Sequence, residues 1–324
     1  FTQLYDDSQK AMKEVLEKAA ANTNVKPGSD EAKLAAFYNS YMDEAGREAA
    51  GIKPLTPVLA SVDAVKSKPE LVALMAELRI KGGSLPFGYY VNNDAKNSSE
   101  YAMYVYQSGL GLPDRDYYLK DDEKFTKIRE AYQAYVTAIL SKAGVADAES
   151  AAKAIIDLET SIADAQWSRV ESRDATKSYN KMSVADANKL TGDFDFAAYL
   201  DASGIKTEEV IIRQPSYLEK FAGIYKDTDL ATWQNYLKFH FVSNYAALLD
   251  KELVDLNFDF YSTTLRGVTE QSPLWKKAVD ASNGVLGEML GKVYVKDNFP
   301  PEAKARMEEL VDNVIRGYAV AIEN

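Results

Sequence analysis

The chain contains a single histidine and no cysteine, which restricts the metal chemistry that its side chains can support. Zinc is held in proteins chiefly by thiolates and imidazoles, and one helical pattern for peptide hydrolysis with a single zinc ion is H-E-x-x-H, whose glutamate activates water. This pattern is absent from the 324 residues. We therefore predict no catalytic residue, no metal site and no cofactor in this chain, and no zinc-dependent hydrolysis by the chain alone.

His240 lies between Phe239 and Phe241, in a segment whose apolar residues recur at helical spacing. Two interpretations are open: a metal ligand, or an imidazole packed or hydrogen-bonded inside a core. An isolated imidazole among aromatic residues is more typical of the second. We expect His240 to be a core residue.

Arg169 and Arg173 are the residues whose charge and spacing best suit a ligand. Because they are four positions apart, they would share one face if the preceding helix continued through them. Together they would offer a positive spot to a peptide carboxylate. Glu171 and Asp174 are also close in the sequence, so ordinary ion pairing at the surface is the competing interpretation.

The stretch Gly109–Leu119 is predicted to form a stiff corner between a strand and a helix. Its glycines allow backbone angles that other residues avoid, its proline fixes φ, and its aspartates can bond the backbone of a turn. The arginine lies between two carboxylates, and the paired tyrosines combine apolar rings with polar tips. We therefore predict a structural turn held by salt bridges. Its motif residues are Gly109, Gly111, Pro113, Asp114, Arg115, Asp116, Tyr117 and Tyr118.

The sequence at 109–118, Gly-Leu-Gly-Leu-Pro-Asp-Arg-Asp-Tyr-Tyr, closely resembles a signature in the non-catalytic half of the neprilysin and endothelin-converting-enzyme family of zinc metallopeptidases. Tyr179–Ser183 resembles the family's Tyr-Asn-Lys-Met-Ser/Thr segment. The family also has a run that leads from a tryptophan through Tyr-Val to a phenylalanine. The residues that resemble it here are Trp275–Ala278, Leu290–Val295 and Phe299. The order and spacing of these motifs extend the resemblance over essentially the whole chain.

The resemblance implies that this chain is the large helical part that encloses the catalytic chamber and restricts substrates to short peptides. In the family, a substrate-binding N-A-Y/F-Y segment, the H-E-x-x-H helix and a third glutamate ligand follow the matched region, so zinc belongs to the full-length parent. The implied partners are the C-terminal catalytic domain of the same protein, in one chain or a cleaved one, and short peptides.

Three residues are the candidates for facing a substrate: Tyr5, Arg169 and Arg173. Tyr5 departs from the pattern of the family, because neprilysin has at that place an arginine that helps to hold the C-terminal end of the substrate. A tyrosine cannot supply that charge.

The composition limits the partners and the compartment. Lys+Arg 38 against Asp+Glu 49 gives a net charge of −11, which argues against nucleic acid and anionic membrane surfaces as partners. No run of 18 apolar residues occurs, and we expect no membrane contact by this chain. The resemblance implies export to a periplasm or cell surface, and the absence of cysteine favours a bacterial member of the family. Phe1 is an unusual first residue, so we expect a trimmed or processed fragment.

Apolar residues at helical spacing recur along most of the chain, and a mainly α fold is expected. We predict a multi-helix, bundle-like domain with one small β-hairpin near 89–106, a possible brief strand at 210–212, and short helices and turns over 179–204. A helical substrate-access (lid) domain is expected over 1–299. After the break at two prolines, a linker helix over 300–324 leads toward the catalytic domain.

A second hypothesis for the function is a standalone helical binding module that derives from this lid and has no protease activity. A parent reading frame that ends near Asn324 would favour the module. A frame that continues into H-E-x-x-H would favour the lid of a peptidase.

Overall fold

The computed structural model describes residues 2–323, and the predicted mainly helical fold is confirmed. Many helices begin after a serine or aspartate whose side chain accepts a hydrogen bond from the amide three residues on, as at Asp122, Asp147 and Asp229. Such caps pair one of the free amides at a helix start. The helices are α1 (Thr2–Ala21), α2 (Asp30–Met42), α3 (Glu44–Ala50), α4 (Thr56–Ala64), α5 (Lys68–Ile80), α6 (Asp116–Leu119), α7 (Glu123–Lys142), α8 (Ala148–Ala165), α9 (Val184–Leu190), α10 (Phe196–Ala202), α11 (Pro215–Asp227), α12 (Leu230–Tyr245), α13 (Lys251–Phe258), α14 (Leu274–Asn298) and α15 (Pro301–Glu323).

Four strands form one small sheet, and the predicted hairpin supplies the first two of them. The strands are β1 (Phe87–Asp94), β2 (Asn97–Gln107), β3 (Asn180–Ser183) and β4 (Glu209–Ile212). Their order is β1-β2-β4-β3. β1 and β2 are antiparallel, β3 and β4 are antiparallel, and β2 runs parallel to β4 with Tyr104 opposite Ile211. The carboxyl ends of β2 and β4 therefore meet at one edge of the sheet.

β3 was not expected, because the segment 179–204 was interpreted as helices and turns, and that interpretation was wrong at its start. Tertiary hydrogen bonds and an ion pair stabilise this strand, although its residues have a weak strand propensity. Asp94, almost fully buried, accepts hydrogen bonds from the Lys96 amide (2.8 Å) and the Tyr179 hydroxyl (2.8 Å), and it pairs with the Lys181 ammonium (3.3 Å). These contacts, the Lys96 amide first, hold the pKa of Asp94 below its usual range. The Tyr-Asn-Lys-Met-Ser segment thus fastens β3 to the turn of the hairpin.

One compact unit is Arg47–Thr269, which contains the sheet and most of the helices. Its core is rich in aromatic rings in edge-to-face contact, an arrangement that their quadrupoles favour. The Phe87 ring of β1 lies 5.3 Å from that of Phe194, 5.1 Å from that of Tyr199 and 5.7 Å from that of Phe221. All four residues are buried. These contacts fix the sheet to α10 and α11.

The second compact unit consists of the chain up to Gly46 together with the segment from Glu270 onward. Its smaller core joins α1, α2 and α14, with Leu16, Leu34 and Leu290 buried between them. α15 belongs to the same unit, but none of its residues is buried. The assignment of a lid to 1–299 and a linker to 300–324 stays a prediction.

Candidate functional site

The corner between β2 and α6 is fixed by tyrosine hydroxyls from other helical segments. Tyr236 of α12 donates a hydrogen bond to the Gly109 carbonyl (2.7 Å), and Tyr261 donates one to the Gly111 carbonyl (3.2 Å). A buried carbonyl without a partner is costly, and these bonds supply the partners. The corner is therefore held at its backbone and not only through its side chains.

Beneath the corner, a buried carboxylate gathers three side chains. Glu159 of α8 has no exposed surface, and it accepts hydrogen bonds from the hydroxyls of Tyr118 (2.5 Å) and Tyr132 (2.9 Å). His240 Nε2 lies 2.7 Å from the same carboxylate, which confirms the prediction of a hydrogen-bonded core histidine. Burial, and then the Glu159 charge, raises the pKa of both tyrosines well above the usual value, so both remain donors. The Tyr118 hydroxyl also accepts from the Leu112 amide (2.9 Å), which links this network to the corner.

The two glycines of the corner are required by close packing. Gly109 has φ of +92°, and a Cβ there would lie 2.5 Å from Pro86 Cα. A Cβ on Gly111 would lie 1.8 Å from the Tyr132 hydroxyl oxygen. Only glycine combines the left-handed backbone at the first position with the space needed at both.

Salt bridges contribute less to the corner than we expected. Asp114 pairs with Arg169 (3.1 Å) and Asp116 with Lys120 (2.8 Å), both at partly exposed positions where ion pairs add little stability. Within the described chain, the two aspartates beside Arg115 form their ion pairs with Lys120 and Arg169 and not with Arg115. Its Nε donates instead to the carbonyl of residue 163 near the end of α8 (3.1 Å), where a cation complements the helix dipole.

A cavity of about 570 Å³ lies beside this corner. Its walls come from three stretches of chain: 106–116, 166–173 and 213–214. The first begins in the last two residues of β2, the third follows the carboxyl end of the parallel strand β4, and the second follows the end of α8. The carboxyl ends of parallel strands are a common place for ligand sites, since loops from separate strands converge there.

Glutamine side chains join the three stretches to one another. Gln107 donates to the Trp167 carbonyl and accepts from the Trp167 amide, both at 2.8 Å. The Gln214 side chain accepts from the Gln107 amide (3.1 Å), and Gln166 donates to the Ser108 carbonyl (2.8 Å). These bonds fix the relative positions of the walls without using the arginines. The lining is thus prepared before any ligand arrives.

Four guanidinium groups and two carboxylates line the cavity, within a chain whose net charge is −11. The arginines are Arg115, Arg169, Arg173 and Arg213, and the carboxylates are those of Asp114 and Asp116. Arg213 makes one long hydrogen bond, to the carbonyl of residue 172 (3.4 Å). For Arg173, no ion pair or side-chain hydrogen bond occurs within residues 2–323. The cavity therefore carries an excess of positive charge that its own acids do not balance.

Arg169 and Arg173 come together here, but not through a shared helix. α8 ends at Ala165, and Arg173 lies in a separate 3₁₀ turn, so the expected continuation of the helix was wrong. The expected pairing with neighbouring acids was also wrong for Arg169, which contacts Asp114. Glu171 instead accepts from the hydroxyl and amide of residue 168, which, with a smaller effect of Arg115, lower its pKa.

Arg213 was not predicted to be a site residue, and Arg115 was predicted only as part of the structural motif. Arg213 directly follows the apolar strand β4, and a charged residue at the carboxyl end of a strand is a usable signal for a site. The proximity of Arg213 to the other arginines could not be predicted, because it depends on the pairing of β4 with β2 and these strands are far apart in the sequence.

Tyr5 lies on α1, in the unit that does not contain the cavity. About half of its side chain is exposed, its hydroxyl accepts from Gln9 (3.1 Å), and the Lys276 ammonium lies 5.4 Å from its ring centre. The nearby cation belongs to Lys276, which pairs with Asp6 (2.9 Å). A substrate-facing role for Tyr5, Arg169 and Arg173 stays a prediction.

The residues present do not fit a zinc ion. Across 2–323, no group of three or more histidine, cysteine or acidic side chains is close enough together to hold a metal. The one imidazole is buried and hydrogen-bonded to Glu159.

Within residues 2–323, no helix is both long and apolar enough to cross a membrane.

Comparisons with known proteins agree on one kind of relative. A family model described as Peptidase family M13 matches residues 1–324. Human endothelin-converting enzyme 1 is 25% identical over 98% of this chain and 42% of its own length. The inhibitor-bound crystal structure of Mycobacterium tuberculosis zinc metalloprotease ZMP1 is similar at 31% identity and a TM-score of 0.92, covering 100% of this chain and 49% of that one. The open state of ZMP1, solved by cryo-electron microscopy, gives 0.90, with 51% of that chain covered. The chain spans about half the length of these relatives.

Proposed function

The chain belongs to peptidase family M13 and matches the N-terminal part of its members, and from this premise we propose that it forms the non-catalytic helical lid of a neprilysin-like zinc metalloendopeptidase. In this role it closes over the catalytic chamber and restricts substrates to short peptides. The zinc ion and the water-activating glutamate are supplied by the catalytic domain of the same protein, as the family pattern implies.

The observation that carries the proposal is a match over the whole chain to enzymes that are about twice as long. In addition, the histidine, cysteine and acidic side chains of residues 2–323 form no group that could hold a zinc ion. Hydrolysis by an M13 zinc peptidase needs such a metal centre. A division of labour between this helical part and a catalytic part accounts for both facts.

The surface of α15 supports contact with a further folded part. Its apolar side chains recur at helical spacing, yet each is at least 48% exposed. They are Met307, Leu310, Val311, Val314, Ile315 and Tyr318. A continuous exposed apolar face is typical of an interface. We propose that the catalytic domain covers it.

Size exclusion gives the lid a physical mechanism. A flexible peptide can enter an enclosed chamber through a narrow opening, whereas a folded protein cannot. ZMP1 has been solved both in an open state and with an inhibitor, which supports a lid that opens and closes. We further propose export to a periplasm or cell surface and a bacterial source, as the resemblance and the absence of cysteine suggested.

The test compares this 324-residue chain with the longest protein that its gene encodes. We expect the chain alone to show no chelator-sensitive hydrolysis of a quenched fluorescent peptide of about ten residues. The full protein should cleave that peptide and leave a folded protein of about 100 residues intact. A full protein in which glutamine replaces the H-E-x-x-H glutamate is the matched control and should be inactive.

Chelator-sensitive turnover by the chain alone would overturn the division of labour. Rapid cleavage of the folded protein would overturn size exclusion. A reading frame that lacks H-E-x-x-H would favour the second candidate, a standalone binding module with the same arginine-lined cavity.

A further inference from the structure

We infer that the arginine-lined cavity beside Gly109–Leu119 is a subsite for the carboxylate of a peptide, either an aspartate or glutamate side chain or the C-terminus. The inference rests on the proposed function, which makes peptides the molecules that reach this surface. It adds a preference for acidic peptides that the family membership does not state.

The cavity lining has a surplus of hydrogen-bond donors. Guanidinium groups only donate, and that of Arg173 has no partner within residues 2–323. Arg213 uses one long bond to a carbonyl. The Ser172 hydroxyl, on the same wall, is buried and lacks a hydrogen-bond partner in the described chain. A carboxylate supplies the acceptors that these three side chains lack.

The two carboxylates of the cavity lining already have partners. Asp114 accepts from Arg169 (3.1 Å) and from the Asp116 amide (2.9 Å). Asp116 pairs with Lys120 (2.8 Å). Both aspartates therefore remain paired while Arg173 and Arg213 stay available.

The shape and the stiffness of the site suit a peptide segment. A cavity of about 570 Å³ is large enough for a segment of a few residues, since ligand pockets range from roughly 300 to 1,000 Å³. Leu110, Pro113 and Trp167 add apolar wall that suits the stem of a glutamate. The Trp167 indole donates to the Ser216 hydroxyl (2.7 Å), and the Arg213 amide donates to the carbonyl of residue 105 (2.9 Å). Walls that are fixed in this way lose little freedom on binding.

The planar fork of arginine matches a carboxylate with two parallel hydrogen bonds, which lysine cannot reproduce. Positive charge in a cleft of an otherwise acidic protein also concentrates anionic ligands there. The site should therefore discriminate glutamate from glutamine, which has the same shape without the charge.

The experiment is isothermal titration calorimetry of the 324-residue chain with four acetylated pentapeptides at low ionic strength. Two have the sequence Gly-Glu-Ala-Glu-Gly and two have Gly-Gln-Ala-Gln-Gly, each with a free or an amidated C-terminus. We expect the fully acidic peptide to bind at least about tenfold tighter than the neutral one, the range of one charged hydrogen bond. The two mixed peptides show whether the side chains or the C-terminus provide the carboxylate.

Arg173→Gln should weaken binding of the acidic peptide by about tenfold, and Arg173→Lys should restore part of the loss. Arg213→Gln is the second variant. Arg306→Gln, an exposed arginine of α15 outside the lining, is the matched control and should leave binding unchanged. Thermal unfolding of each variant verifies that it is folded.

Equal affinity for all four peptides would overturn the inference. So would unchanged affinity in folded Arg173→Gln and Arg213→Gln, or inorganic phosphate that binds the cavity more tightly than the acidic peptide. The calorimetric assay measures binding without turnover. An encoded protein without a catalytic domain would therefore refute the proposed lid function and leave the binding result valid. Conversely, a full protein that cleaves acidic and neutral peptides equally well would keep the lid and remove the subsite.

Discussion

The corner at Gly109–Leu119 and helix α15 are both rich in large side chains, but only the corner is packed. Its Tyr118 is 5% exposed and hydrogen-bonded to a buried carboxylate, whereas Tyr318 of α15 is 67% exposed. The corner obtains its conformation from contacts inside its own unit. α15 has an amphipathic pattern without anything in the described chain that buries it. The difference separates a region whose conformation is fixed by its own unit from a region whose apolar face stays exposed in the described chain.

The largest effect is expected from removal of the buried carboxylate under the corner. Glu159→Ala leaves Tyr118, Tyr132 and His240 without their shared acceptor. Each buried hydrogen-bonding group left without its partner costs about 1–3 kcal/mol, so the free energy of unfolding should fall by at least about 3 kcal/mol. Urea denaturation followed by circular dichroism measures it.

Asp157→Ala, at an exposed position of the same helix, is the control for Glu159→Ala and should change the stability by less than about 0.5 kcal/mol. If both variants had the same stability as the parent, the buried network would not be what holds the corner. The contrast with α15 would then lose its basis.

A smaller loss is expected when a methyl group is added inside the corner. Gly109→Ala puts a Cβ 2.5 Å from Pro86 Cα at a φ of +92°. Gly144→Ala is the matched control, because its φ is +79° and no atom lies within 4 Å of the added Cβ. Both changes incur the left-handed strain of roughly 1–2 kcal/mol. Gly109→Ala should cost about 1–3 kcal/mol more, from overpacking.

Chemical denaturation of the two alanine variants side by side gives this difference directly. Equal losses would mean that the corner yields to the extra methyl group. It would then be a flexible turn and not a clamped one.

The smallest effect is expected on α15. In the chain alone, the double change Leu310→Gln with Val314→Gln replaces side chains that are 54% and 49% exposed, so the free energy of unfolding should change by less than about 0.5 kcal/mol. Leu290→Ala, in the core of the same unit at 1% exposure, should cost about 2–5 kcal/mol. A loss above 1.5 kcal/mol, on the order of a buried-residue effect, in the double variant would show that α15 is packed within this chain.

Local patterns predicted the parts of the molecule that local physics determines. Helical spacing predicted the mainly α fold, and the Gly-Leu-Gly-Leu-Pro run predicted a corner after a strand. The aromatic neighbours of His240 predicted its burial. Each of these inferences uses residues that are adjacent along the chain or on one face of one helix.

The candidate site could be predicted only in part, because distant stretches form it. Arg169 and Arg173 stood out by charge, but the cavity exists because β2 and β4 pair in parallel. Nothing adjacent in the sequence couples Arg213 to them. Glu159 was missed for a related reason: on a helix face it resembles any surface acid, and only the tertiary fold surrounds it with tyrosines.

The hydrogen bond between the Gln107 amide and the Gln214 side chain joins positions 107 residues apart, across five α-helices and two strands. Closing so large a loop has a high entropic barrier, and parallel pairing with large sequence separation slows folding. We therefore expect the arginine-bearing walls to come together later in folding than the helices between them. In a newly synthesised chain, α7 and α8 can form from local contacts, whereas the cavity needs contacts between residues far apart in the sequence.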